Sequence, residues 1–367
     1  MNKEIGNNRL DYLDAMRGIA AMMVLVGHYI NWKFKDNPVN QALSYIFNAN
    51  DAVSFFFVLS GFVLSWAYFQ NISKPLAINK YYVNRIFRLH PGFIVALLIC
   101  LLYYNRHQLN FDRFTTLFVY NKEIFWEEFL MFRGFNNIFL PGWTLSVELN
   151  MSFMMPFIIV IGRYNKQVLY PLLIASVLAS YIVGFFFFHF VLGALIAANY
   201  DFIIGNDFKK SFLYKNRIPI LIASLILFSI RTNDRIFGTY DNIKYILNYL
   251  RIDFFVITGI SSGVFLLYTL HFKSVQRILQ TTILQFYGRI SYGVYLTHWV
   301  FVIAFYDKWD MLLTKFNGNK TSLFIFGIFA VLLLTTLTAT LLYYFVEKPF
   351  MKMGKKIADS IKARWVI

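Results

Sequence analysis

A chain of 367 residues that is 58% hydrophobic, 20% aromatic and only 15% charged is neither a soluble domain nor a disordered one. Its formal net charge of +16 would suggest nucleic acid in a soluble protein. Here no basic segment stands apart from the apolar runs, which excludes nucleic acid as a partner and assigns the charge to loops facing an anionic inner leaflet of membrane lipid.

The expected fold is all-α, a polytopic membrane bundle of about ten transmembrane helices. The apolar segments lie at about 14–31, 53–69, 90–104, 143–161, 168–183, 185–199, 218–230, 252–270, 290–306 and 322–346. Segment 168–199 reads either as one bent helix or as two short ones. The first segment lacks a cleavage-site pattern and carries its own histidine, so it is expected to be retained. The Lys and Arg distribution over the connections predicts an N-in, C-in orientation in the cell's inner (cytoplasmic) membrane. One membrane domain covers 1–367, with its core at about 9–350, a basic cytoplasmic tail at 351–367 and no soluble domain. Of the two long connections, 105–142 contains WEEFLMF, a candidate interfacial helix, and 231–251 carries no motif.

In the first segment, Arg17 and His28 bracket ten apolar or small residues. Eleven residues advance a helix by about 16 Å and three turns plus a small remainder, so both side chains share a face. Ionisable groups inside a membrane segment are costly and mark function by default. Asp14, three residues before Arg17, is placed to pair with it. Next, NDAVSFFFVLSGFVLS interrupts an aromatic run with Ser54, Ser60 and Gly61, read as sites of close helix approach. KYYVNRIFRLHP, between the second and third spans, sets Arg85 and Arg88 three apart on one face. With Arg17 they suit a phosphorylated ligand, or else anchor the chain at the inner surface.

PGWTLSVELNMSFMMP follows, with Trp143 at an interface and Glu148 a short way into span four. On the expected topology Glu148 lies at the depth of His28 and is its candidate acid partner. In GRISYGVYLTHW, His298 is a second intramembrane histidine, either substrate-binding or structural. His90, His107, His189 and His271 lack such company and read as structural or solvated. The spacing of the six histidines fits no metal site, and none is expected. Cys100 sits in an apolar run and forms no internal disulfide.

Together these segments resemble the acyltransferase 3 family of integral-membrane O-acyltransferases. RLDYLDAMRGIAAMMVLVGH, VSFFFVLSGFVLS, YYVNRIFRLHP, WTLSVE, FVLGALIA, GRISYGVYLTHW and FVEKPF occur in the family's order over nearly the whole chain. The resemblance implies transfer of an acyl group, often acetyl from acetyl-CoA, to a hydroxyl of a cell-envelope carbohydrate. It assigns the essential histidine to His28, the paired-arginine element to Arg85 and Arg88, and the Trp-and-Glu element to Trp143 and Glu148. Met16, Ala52 and the Leu149-Asn150 pair depart from the family's usual residues without touching that chemistry.

The expected mechanism holds the phosphates of acyl-CoA, the co-substrate, on Arg17, Arg85 and Arg88. His28 is the general base, and Glu148 orients it. Asp14, Trp143, Ser60 and His298 are supporting residues. The acceptor is a surface polysaccharide, a lipid-linked glycan or a related molecule. The competing class is a transporter using the same polar residues, which would favour Pro/Gly-broken helices in paired halves; the chain shows no such internal symmetry.

Overall fold

In lipid, every backbone N–H and C=O has to be satisfied within the chain, and runs of this apolarity do so as helices. The computed structural model describes residues 10–33, 43–44, 46–69, 77–104, 130–131, 139–179, 186–229, 245 and 254–361. Among these every regular element is helical. The long elements are α1 (Asp11–Lys33), α2 (Ala49–Phe69), α3 (Ala77–Tyr104), α4 (Gly142–Tyr164), α5 (Leu169–Ala179), α6 (Phe187–Ala198), α7 (Arg217–Phe228), α8 (Phe254–His271), α9 (Thr282–Asp307), α10 (Lys320–Leu342) and α11 (Lys348–Ser360).

Each of the ten expected segments overlaps one of α1 to α10. Six helices among the described residues are long and apolar enough to cross a membrane: α1, α2, α3, α4, α8 and the continuous run Lys320–Ser360. α5, α6 and α7 are apolar but shorter, and α9, 26 residues long, carries more polar side chains. The 168–199 ambiguity resolves as two separate helices, α5 and α6. The WEEFLMF segment, apart from Leu130 and Met131, lies outside the described residues, as do His107, the 231–251 connection apart from Tyr245, and 362–367.

Two boundaries differ from expectation. α3 begins at Ala77, so Arg85 and Arg88 belong to the spanning helix itself rather than to a connection before it. Pro91 lies inside that helix; it donates no backbone hydrogen bond, yet the helix runs on. The last helix likewise continues beyond Leu342. A π-helical turn, Tyr343–Glu347, links α10 to α11, so the start of the expected basic tail is helical.

Glycines set the closest helix contacts. α1 and α9 run parallel, and a Cβ on Gly288 would lie 2.6 Å from the carbonyl carbon of Asp14, while one on Gly18 would lie 2.7 Å from the backbone nitrogen of Gly288. Without a hydrophobic drive between helices in lipid, this backbone approach supplies the van der Waals contact that joins them. α2 and α6 cross in the same way at Gly61 and Gly193, as the small-residue reading of that segment expects. Ser54 hydrogen-bonds Thr258 of α8 at 2.9 Å, again a packing contact. Outward faces are apolar: Phe326, Phe329, Leu333, Leu337 and Leu341 make an exposed stripe on α10, suited to acyl chains.

Replacing Gly288 by Val forces two backbones apart. The substitution is expected to destabilise the protein by about 1–3 kcal/mol or more, read as a lowered unfolding midpoint of the detergent-purified protein. An unchanged midpoint would contradict the close crossing.

Candidate active site

Two polar centres lie in the interior, spaced along α1. The first is a cavity of about 60 Å³ whose lining includes Arg17, Ser60, Arg85, Arg88, Glu148 and Tyr292. Five helices build it. Arg85 and Arg88 are one turn apart on α3, and Arg85 is eight residues, or about 12 Å, into that helix. It is only 9% exposed, so it is an interior cation rather than a surface anchor.

Arg85 is engaged through Nε and Nη2. Its Nη2 donates to Glu148 Oε1 at 2.7 Å, and its Nε and Nη2 donate to Ser152 Oγ at 3.1 and 3.0 Å. The Ser152 hydroxyl passes its own proton back to the Glu148 carbonyl at 2.6 Å. Ser60 Oγ donates to Glu148 Oε1 at 3.4 Å. Arg17 pairs with Asp14 at 3.0 Å, as its i, i+3 spacing predicts. The charges of Arg17 and Arg88 also bear on Glu148. Tyr292 donates to the Leu89 carbonyl at 2.6 Å and ties α9 to α3 beside Arg88.

The second centre is a histidine pair. His28 Nδ1 and His298 Nε2 are 2.9 Å apart, with the two rings nearly coplanar at 8°. His298 is fully buried, and its Nδ1 lies 3.2 Å from the Val294 carbonyl. A carbonyl only accepts, so Nδ1 of His298 carries a proton and its Nε2, in the neutral ring, accepts. The proton between the rings then belongs to His28 Nδ1, and His28 Nε2 is left with its lone pair. This tautomer is assigned from the hydrogen-bond network. Trp299 meets His28 edge-on at 5.4 Å between ring centres, and Tyr295 lies 5.7 Å from His298. Tyr295 also lines the arginine cavity, and its hydroxyl is held by Thr144 at 2.6 Å. It is therefore a bridge between the two centres.

The expected His28–Glu148 pair is corrected by this geometry. Glu148 is claimed by Arg85, Ser60 and the arginine cavity, whereas the partner of His28 is His298. Depth counted along single helices does not say which helices adjoin, and α3 brings Arg85 to Glu148. Ser60, read chiefly as packing, faces the cavity. Trp143 does not line it; its ring packs against Phe57 and Phe186 at 6.5 and 5.4 Å. His271 is structural: its Nδ1 donates to the Ile203 carbonyl at 2.7 Å.

Glu347 is a site residue that the sequence reading left without a role. It sits on the π-helical turn, 5% exposed, with Oε1 buried and without a hydrogen-bond partner, and Arg88 is a charge that acts on it. A lone Glu in the apolar run before KPF is its sequence signal. The signal for the histidine pair is subtler: Gly18 precedes His28 by ten residues, and Gly288 precedes His298 by ten.

Among comparisons with known proteins, the model of a family described as an acyltransferase domain, acyltransferase 3, matches residues 10–344. Neither a curated protein nor a solved structure matches the chain.

Glu148→Gln leaves Arg85 with an uncompensated interior charge and is expected to cost about 2–3 kcal/mol of stability. Changing both partners, Arg85→Met with Glu148→Leu, should restore much of that stability. Unfolding midpoints of the two variants against wild type check this, and equal losses in the single and double variants would contradict the pairing.

Proposed function

Since the chain belongs to the acyltransferase 3 family and is a membrane acyltransferase, we propose that it transfers an acyl group, acetyl in the simplest case, from cytoplasmic acyl-CoA to a hydroxyl of an envelope carbohydrate. In this reading ten helices span the inner membrane with both termini inside. Arg17, Arg85 and Arg88 meet the phosphates of the donor, since guanidinium groups match phosphate bidentately. The acyl end reaches along α1 toward His28, about 16 Å further on.

The observation that carries the proposal is the histidine pair. With Nδ1 donating to His298, His28 presents an unprotonated Nε2, the form that a general base needs. The acceptor hydroxyl gives its proton to Nε2 as its oxygen bonds to the thioester carbonyl carbon. The tetrahedral intermediate then collapses with cleavage of the C–S bond. The departing CoA sulfur takes the proton back from the imidazolium, leaving an ester, free CoA and neutral His28. The imidazolium formed in between is stabilised by the acceptor nitrogen of His298.

The arginine cavity, at about 60 Å³, is far smaller than the roughly 300–1,000 Å³ of ordinary ligand pockets. Donor entry in this scheme requires the arginines to exchange their carboxylate partners for phosphate and the surrounding helices to part. The family match favours this reading over the transporter class.

His28→Ala is expected to lower acyl transfer about 10²- to 10⁴-fold in folded protein. His298→Asn, whose amide oxygen still accepts from Nδ1, should retain more activity than His298→Leu. Release of CoA from acetyl-CoA, with an envelope-carbohydrate extract as acceptor, reads both effects. Near-normal rates in His28→Ala would remove the base assignment.

A further inference from the structure

A second polar cavity lies at the end of the bundle away from His28. It has a volume of about 460 Å³, within the ordinary range for ligand sites, and its lining includes Trp66, Phe69, Arg163, Lys166, Tyr200 and Asp201. The ends of α2, α4 and α6 build it. Trp66 and Phe69 come from the last turns of α2, Arg163 from the last turn of α4, Lys166 from the connection that follows, and Tyr200 and Asp201 from just beyond α6.

Its chemistry is specific. Trp66 and Tyr200 form an aromatic wall, with ring centres 5.7 Å apart. The indole Nε1 of Trp66 is buried and has no hydrogen-bond partner. Arg163 and Lys166 are exposed, and neither makes an ion pair among the described residues. Asp201 adds one carboxylate. Hydrocarbon would leave the indole N–H and both cations unanswered. A flat heteroaromatic ring carrying phosphate answers all of them.

Position narrows the ligand further. Trp66 is six residues past Ser60 on α2, so the aromatic wall stands about 9 Å along that helix from the arginine cavity. On α1, Tyr12 precedes Arg17 by five residues, and Tyr200 is close enough to act on it electrostatically. The order along the bundle is therefore aromatic–cationic cavity, arginine cavity, histidine pair. That is the order of purine nucleotide, pyrophosphate and acyl thioester in an acyl-CoA.

The geometry points to this cavity as the subsite for the adenosine 3′-phosphate end of the donor, an inference that rests on the acyl-CoA reading above. The purine stacks on Tyr200 and meets Trp66, whose ring crosses that of Tyr200 at 61°, at its edge, where the indole N–H donates to a ring nitrogen. Arg163 and Lys166 meet the ribose phosphate, and Asp201 accepts from the exocyclic amine.

The test compares two donors on the purified full chain by titration calorimetry: acetyl-CoA, and acetyl-4′-phosphopantetheine, which lacks the nucleotide. Arg163→Gln with Lys166→Gln, both at exposed positions that folding does not need, should weaken acetyl-CoA about tenfold. Trp66→Leu should do the same through the lost indole N–H donor. Both should leave acetyl-4′-phosphopantetheine within about twofold of wild type, near the resolution of such an affinity comparison. Acetyl-CoA binding unchanged in the charge variant, or equal losses for both donors, would overturn the subsite. So would loss of co-purified phospholipid from the charge variant with acetyl-CoA affinity intact, which would make the cavity a headgroup site. If wild type binds acetyl-4′-phosphopantetheine as tightly as acetyl-CoA, the subsite falls and the acyl-CoA reading stands; if it binds neither, both fall.

Discussion

The structure depends on one contact, the parallel crossing of α1 and α9 at Gly18 and Gly288. Two helices that run the same way and touch backbone to backbone stay in step, because each advances by the same rise. Ten residues, or about 15 Å, beyond each glycine stands a histidine, and the two rings meet at 2.9 Å. The pairing of His28 with His298 is thus set at a distance, by where the helices touch rather than by the rings. The same register brings Tyr292 and Tyr295 of α9 to the edge of the arginine cavity.

The arginine centre obeys a different constraint, charge balance. Three guanidinium groups inside an apolar bundle would be prohibitive alone, and removing charges from water is costly even when they are paired. Each arginine has an acid at hand: Asp14 for Arg17, Glu148 for Arg85, and Glu347 acting with Arg88. The cluster is formally neutral as it stands. An incoming polyanion then competes with carboxylates rather than filling an empty positive hole. Buried pairs of this kind suit a site that has to open selectively, since a weakly charged ligand does not repay the exchange.

Much of this was legible in the residues. The shared face of Arg17 and His28 follows from helical periodicity, and the Asp14–Arg17 pair follows from i, i+3 spacing. The grouping of Arg85 and Arg88 with Arg17 also holds, although their depth does not, because an apolar-run criterion starts α3 too late when its first turns carry polar residues. The partner of His28 was not legible by that route. Which helices adjoin is a tertiary fact, and depth counted along single helices put Glu148 beside the histidine when it is bound to Arg85. The matched Gly-to-His spacing on α1 and α9 was present in the sequence, but it has meaning only once two helices are known to run parallel and touch at those glycines.

The separation of the two centres has a chemical consequence. His28 is enclosed by His298 and Trp299, while Arg17 lies eleven residues, or about 16 Å of helix rise, back along α1. With the arginines balanced by acids, the field of that cluster at His28 is weak, and distance weakens it further. In the proposed transfer the proton accepted by Nε2 leaves again on the CoA sulfur. The base is regenerated within the same turnover, and no water chain has to reach it. A dry histidine pair is then sufficient for the chemistry, and the only routes that must cross the bundle are those of the donor from one side and the acceptor from the other.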